Sequence, residues 1–262
     1  MDLGLQGKLA FVVGASAGIG AATARHLAAE GARLVLMARG AEALTQLRDA
    51  LRAAGHQADC VTVDLRDGAS VAAVMAQAMA EFGVPDSCVI SAGDAQGGVM
   101  WELPDALWQD ALELKFMGMV RVMRALAPAM QARGSGRIVA VVGNNGRQPH
   151  ARMLPGSAAN AACLAVVRGL AEELAPSGVG IVAVNPGPTA TGRWTKLLAT
   201  RAAREGRPEA EIAAEVQSGL PRGRLAEADE VGALCAVLCS DLADMVTGTS
   251  LTIDGGATRA LA

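Results

Sequence analysis

Gly14-Ala15-Ser16-Ala17-Gly18-Ile19-Gly20 stands directly behind the apolar run Leu9–Val13 and opens an Ala-rich helical pattern, Ile19–Glu30. That placement decides the fold. A strand that ends on a glycine turn and feeds a helix gathers backbone N–H groups and the positive end of the helix dipole at one point, where a pyrophosphate is well received. Gly14 permits the tight turn, and Gly18 lets the backbone come close to the phosphates. Ser16, Ile19 and Gly20 complete a candidate dinucleotide-binding loop. Its spacing, Gly-x-x-x-Gly-x-Gly, differs from the Gly-x-Gly-x-x-Gly of the larger dinucleotide-binding dehydrogenases.

Beyond this loop, short apolar runs alternate with Ala/Leu-rich helical stretches. Strands are expected at Leu9–Val13, Arg33–Met37, Asp59–Val63, Ser87–Ile90, Arg137–Val142, Gly180–Val184 and Ser250–Ile253, and helices at Ile19–Glu30, Ala41–Ala54, Ser70–Phe82, Asp105–Ala132, Leu154–Ala175 and Asp229–Cys239. Strands separated by helices of this length imply right-handed crossovers and a parallel sheet covered on both faces. The expectation is one α/β domain over residues 1–262, a doubly wound Rossmann-type sheet of about seven strands. Residues 188–220 break the rhythm with mixed charge, including Arg193, Lys196, Arg201, Glu205 and Glu209, and read as a substrate lid whose charges form a solvated helix face.

Composition narrows the function classes. Hydrophobic residues make up 52% and aromatics 2% of the 262 residues, so small aliphatics supply the core. A net charge of −3 gives no reason to expect a nucleic-acid partner. No uninterrupted apolar run approaches the roughly 18 residues of a membrane span, and Met1–Gly7 lacks the basic and apolar regions of a secretory signal. A cytoplasmic protein without a membrane partner is expected. Cys60, Cys88, Cys163, Cys235 and Cys239 form no Cys-x-x-Cys pair and read as small buried hydrophobes. His26, His56 and His150 are too scattered for a metal site.

With the glycine loop between its strand and helix, the chain resembles the short-chain dehydrogenases/reductases from about Gly7 to Gly256. Further segments fall where that family has its motifs. Asp64, followed by Leu65, matches the acid that contacts adenine. Ser91-Ala92-Gly93 stands where the family has Asn-Ala-Gly, along the cofactor. Pro186-Gly187-Pro188-Thr189-Ala190-Thr191 matches Pro-Gly-x-x-x-Thr, with Thr189 and Thr191 beside the carboxamide of the nicotinamide. Ile253-Asp254-Gly255-Gly256 resembles the closing strand and turn. The resemblance implies a nicotinamide cofactor and a homo-oligomer, most often a tetramer. The long helical stretches then offer Met117, Met119, Val120, Ala161, Ala162 and Val166 for pairing between copies.

The end of the second strand speaks to cofactor choice. An acid about 20 residues past the glycines would bind a ribose 2′-hydroxyl; here Ala38 is followed by Arg39. A guanidinium pairs with a 2′-phosphate that a carboxylate would repel. NADP(H) is expected over NAD(H).

The catalytic half is rewritten. The family uses Asn, Ser, Tyr and Lys, with Tyr and Lys four residues apart on one helix face so that the ammonium lowers the phenol pKa. This chain contains no tyrosine. Aligning residues 137–143 with the family's fifth strand puts Gly143 at the serine position, Gly156 at the tyrosine and Asn160 at the lysine. Lys115, in Lys115-Phe116-Met117-Gly118, falls where the asparagine belongs. Asn and Lys have thus exchanged places, and Lys115 with Asn160 is the candidate relay. Gly156 leaves space beside the nicotinamide. Replacement proton donors are Lys115, His150, or a water held by Asn144 and Asn145. Three functions remain open: an NADP(H) oxidoreductase on a partly apolar carbonyl or alcohol, a cofactor-binding sensor or scaffold without turnover, and a site repurposed for hydride-free chemistry through Lys115.

Overall fold

The computed structural model describes residues 2–260. In chain order the elements are β1 (Leu9–Val13), α1 (Gly18–Ala29), β2 (Arg33–Ala38), α2 (Ala41–Ala53), β3 (Ala58–Thr62), α3 (Gly68–Phe82), β4 (Ser87–Ile90), α4 (Asp105–Ala111), α5 (Gly118–Arg133), β5 (Gly136–Val141), α6 (Leu154–Leu174), β6 (Val179–Pro186), β7 (Thr189–Ala190), α7 (Gly192–Glu205), α8 (Glu209–Ser218), β8 (Ala226–Glu227), α9 (Ala228–Leu238) and β9 (Ser250–Ile253). Seven strands form one parallel sheet in the order β3-β2-β1-β4-β5-β6-β9, and β7 pairs with β8 apart from it. This is the expected doubly wound α/β domain.

The strands are apolar on both faces because helices cover both. Along β1, Leu9, Phe11 and Val13 face a core completed by Val71 and Met75 of α3, Met123 and Leu126 of α5, and Cys163 and Val167 of α6. Ala10 and Val12, of opposite parity, face Leu27 of α1, Leu44 and Leu47 of α2, and Val231 and Cys235 of α9. Close helix packing uses the small residues: a β-carbon on Gly232 of α9 would lie 2.8 Å from backbone atoms of Ala22 and Thr23 in α1.

Two local expectations change, and a third segment gains detail. The helix expected over Asp105–Ala132 divides into α4, a π-helical turn at Leu112–Met117, and α5. Residues 188–220 are an ordered pair of helices whose charges meet each other: Arg201 pairs with Glu205 and Glu215, and Arg207 with Glu205, Glu211 and Glu215. Of the residues assigned to pairing between copies, Met119 is buried in the core and Val166 packs against it, whereas Ala161 faces outward. With the turn that follows it, α6 (Leu154–Ser177) also has the length and averaged apolarity of a membrane span, although nearly half of it is buried within the domain.

Successive strands run outward from β1 to β3 in one direction and from β4 to β9 in the other. At that reversal the loops leaving the C-terminal ends of β1 and β4 diverge and leave a crevice. The glycine loop lies there.

Candidate active site

A cleft of about 500 Å³ opens at the reversal, walled by Gly14, Ser16, Ala17, Arg39, Leu65 and Ser91–Asp94. Its floor exists because of glycine. Gly14 has φ +87°, and a β-carbon on it would stand 2.7 Å from the Ser91 carbonyl carbon and the Ala92 nitrogen. The loops after β1 and β4 thus touch only because Gly14 lacks a side chain. The Gly14 and Ala15 amides donate to the Met37 carbonyl at 2.7 and 3.2 Å, tying the turn to β2. Gly20 is held as tightly: its β-carbon would fall 2.1 Å from the Gly14 oxygen. No side chain caps the N-terminus of α1, where Ala17 occupies the capping position. Its first amides therefore point at the cleft with no side-chain acceptor, which suits a pyrophosphate.

The far wall carries an exposed cation. Arg39, just past β2, is more than half exposed, and its Nη1 lies 4.0 Å from Asp64 Oδ2. At that exposure the pair contributes little and leaves the guanidinium available to an anion. Asp64 also accepts the Arg66 amide at 3.0 Å. Val63 and Leu65 on either side line the cleft, and Leu65 packs on Gly118 at the start of α5, where a β-carbon would come within 2.9 Å. These residues fit a dinucleotide: an apolar wall, an uncapped helix N-terminus and an exposed cation at the cleft's edge.

Across the cleft mouth, Gly18 meets Thr191, whose Cγ2 would be 3.2 Å from a Gly18 β-carbon. Thr191 caps α7, with Oγ1 accepting the Trp194 amide at 3.4 Å. Thr189 Oγ1 donates to the Gly187 carbonyl at 2.9 Å. Gly187, after Pro186, presses on Asp254, whose β-carbon would lie 2.6 Å from its own. The segment expected beside the nicotinamide is thereby fixed between α1 and the closing turn.

Lys115 sits in the π-helical turn, 9% exposed, with no ion pair and no side-chain hydrogen bond among the described residues. Its side chain lies along Gly93: a β-carbon there would be 3.1–3.2 Å from Cγ, Cδ and Nζ. Cys163 of α6 donates its thiol to the Lys115 carbonyl at 3.8 Å, fixing the turn against α6. Burial first, and then the Arg193 guanidinium, pull the Lys115 ammonium down to about 8. Asn160, also buried, aims Nδ2 at the Gly143 carbonyl at 3.5 Å, while its Oδ1 has no hydrogen-bond partner among the described residues. Gly143 is at φ +125°, and a β-carbon on it would strike Asn160 Nδ2 at 2.9 Å. A β-carbon on Gly156 would meet a single neighbour within 4 Å, the Ala95 methyl at 3.1 Å.

Two of the other expected proton-donor residues already make hydrogen bonds of their own. His150 is exposed, and its Nδ1 accepts the Arg152 amide at 3.2 Å, so it belongs to a surface turn. Asn144 donates to Asp254 Oδ2 at 3.3 Å and braces the closing turn. One residue that the sequence did not single out, Asp94, stands at the site, paired with an arginine read only as a lid charge. Asp94 follows Gly93 and accepts Arg193 Nε of α7 at 3.0 Å, joining the loop after β4 to the lid. Ninety-nine residues separate them, and the only signal was a single arginine at the lid's start.

A family model described as Enoyl-(Acyl carrier protein) reductase matches residues 14–258. The chain belongs to the short-chain dehydrogenase/reductase family. It is 39% identical over 258 residues to a cis-4-hydroxycyclohexanecarboxylate dehydrogenase of Sinomonas cyclohexanicum, covering 96% of each chain. It is 31% identical over 258 residues to a 2,3-dihydro-2,3-dihydroxybenzoate dehydrogenase of Bacillus subtilis, covering 97% of each. Among solved structures it superposes on an actinorhodin polyketide ketoreductase with NADPH at TM-score 0.93 and 32% identity, over 97% of this chain and 98% of that one. It matches an L-sorbose reductase of Gluconobacter frateurii, complexed with NADPH and L-sorbose, at TM-score 0.93 and 31% identity over the whole of both chains.

Proposed function

We propose that the protein is an NADP(H)-dependent oxidoreductase that interconverts a carbonyl and an alcohol, with Lys115 as the proton donor in reduction and the acceptor in oxidation. The observation that carries this reading is a buried lysine without a counter-ion, laid against Gly93 at the C-terminal end of β4. A desolvated ammonium near 8 is poised for proton transfer close to neutral pH. Relatives named for ketone and alcohol chemistry, and NADPH in two similar structures, support it.

A bound nicotinamide would supply or accept the hydride. The uncapped α1 N-terminus would hold the pyrophosphate, Arg39 the 2′-phosphate, and Leu65 the adenine face. Asn160 Oδ1, buried and unpartnered, accepts from a hydroxyl or from an ammonium brought within reach. In this reading Lys115 Nζ would supply the proton that the family takes from its phenol. Gly143 and Gly156 offer no hydroxyl, so in this reading the substrate oxygen relies on Lys115 alone.

The test pairs NADPH binding with turnover over a panel of ketones and aldehydes, in the parent protein and in Lys115→Ala and Lys115→Asn. A positioned general acid is worth about 10²–10⁴ in rate, so both variants should lose at least about tenfold in turnover while binding changes little. The absence of any tyrosine favours a second reading, in which the cofactor is bound without turnover. Tight NADPH binding with no detectable turnover in the parent would select it. On either reading a homo-oligomer pairs the outward, small-residue face of α6 (Ala158, Ala161, Ala165), which light scattering would detect.

A further inference from the structure

Around the Gly93–Asp94 corner the charges do not balance. The Arg193 guanidinium is close enough to disfavour the Lys115 ammonium, and Asp94 is the one carboxylate acting on Lys115 there. Asp94 is already committed. Its Oδ1 accepts both Arg193 Nε at 3.0 Å and the Ala95 amide at 2.9 Å. Lys115, more than nine-tenths buried, is left with no anion. A buried ammonium without a counter-charge carries a desolvation penalty of several kcal/mol, so the site as folded favours the arrival of negative charge. The Asp94–Arg193 pair lies at the rim, with side chains 65% and 41% exposed. Exposed pairs of this kind contribute about 0–1 kcal/mol. Its guanidinium is therefore cheaply exchanged from one carboxylate to another, and a planar fork is well shaped for the purpose.

We infer that the substrate is an oxo acid, whose carboxylate takes the Arg193 guanidinium from Asp94 while its carbonyl oxygen meets Lys115. The carbonyl end rests on the oxidoreductase reading above; the carboxylate end stands on the charges alone. Arg193 is then the residue that decides substrate class, and Asp94 is its internal competitor, holding the lid arginine in place until an acid displaces it.

The competition gives opposite outcomes for the two partners of one ion pair. Protein saturated with NADP+ is titrated calorimetrically with levulinate and with 4-oxocyclohexanecarboxylate, each against its methyl ester. At least one acid should bind at least about tenfold more tightly than its ester, the effect of one charge-assisted contact. Arg193→Met should erase that preference, and Asp94→Asn should tighten acid binding about threefold or more. If the pair were only a structural latch, both substitutions would loosen the lid and weaken acid and ester alike, which would overturn the inference. So would equal affinity for acid and ester in the parent, or a tenfold loss of NADP+ affinity in Arg193→Met, which would assign the arginine to the cofactor. Melting curves confirm that each variant is folded. These are equilibrium titrations, so an acid preference without NADPH oxidation would sink the oxidoreductase reading and leave the carboxylate site standing.

Discussion

Lys115 lies against Gly93 so closely that a β-carbon on the glycine would stand 3.2 Å from the ammonium nitrogen. The absence of a side chain after β4 is what lets the lysine run along the cleft wall. Gly93→Ala should displace Lys115 by a few tenths of an ångström. The lysine chain is flexible, so the stability cost should be about 1 kcal/mol, the low end for overpacking. Turnover should suffer more, by about tenfold or greater, because misplacement of a reacting group is expensive. Denaturant titration alongside steady-state rates would check this, and unchanged turnover would detach Lys115 from the reaction.

The same burial makes a pH prediction. Lys115 falls from 10.5 to about 8 on folding, so between those values the unfolded chain holds the proton and the folded chain does not. Stability therefore rises with pH across that window, and below about 8 the folded state carries the whole penalty, on the order of 3 kcal/mol. Lys115→Met should stabilise the protein at pH 7, by up to about that amount, with the gain shrinking toward pH 10. In the parent, carbonyl reduction should lose rate as pH rises through about 8, and alcohol oxidation should gain. A Lys115→Met variant less stable than the parent at pH 7 would show that the ammonium is compensated.

Much of this was readable from local pattern. The glycine loop and strands β1 to β6 were legible because each is set by its own periodicity and by the turn beside it. Lys115 and Asn160 were singled out only through the resemblance, as the residues standing where the family has its asparagine and lysine; the structure shows that both are buried. The π-helical turn was not legible, because Leu112–Met117 has the same periodic pattern as an α-helix and only packing against α6 and α5 distinguishes the two. Arg193 looked like one more charge on a lid; its pairing with Asp94 depends on how α7 folds back over the loop after β4, which no local pattern records. His150 looked like a loop donor; its imidazole is exposed and its Nδ1 accepts an amide of its own turn, which spacing does not record.

Arg39 carries the cofactor prediction. Its one ion pair among the described residues, with Asp64, spans 4.0 Å and is half exposed, so the guanidinium loses little on turning to a 2′-phosphate. Arg39→Ala should weaken NADPH binding by about 10–100-fold, the worth of a charge-assisted contact, and NADH binding by much less. Calorimetric titration of both cofactors decides it. Equal losses would return Arg39 to the solvent.

Gly156→Tyr restores the family's phenol position and should still fail to give efficient carbonyl reduction. The residue four positions on is Asn160, which has no charge to lower a phenol pKa. Gly143, where the serine belongs, has no hydroxyl, and at φ +125° with Asn160 Nδ2 in the way it will not readily accept one. The new side chain would first meet the Ala95 methyl at 3.1 Å, pressing on the loop that carries Asp94 and its bond to Arg193. Stability should fall by about 1–3 kcal/mol from overpacking, and turnover should fall or stay the same on every ketone tried. A tenfold gain would mean that the phenol alone was missing, and that Lys115 is a bystander to the chemistry.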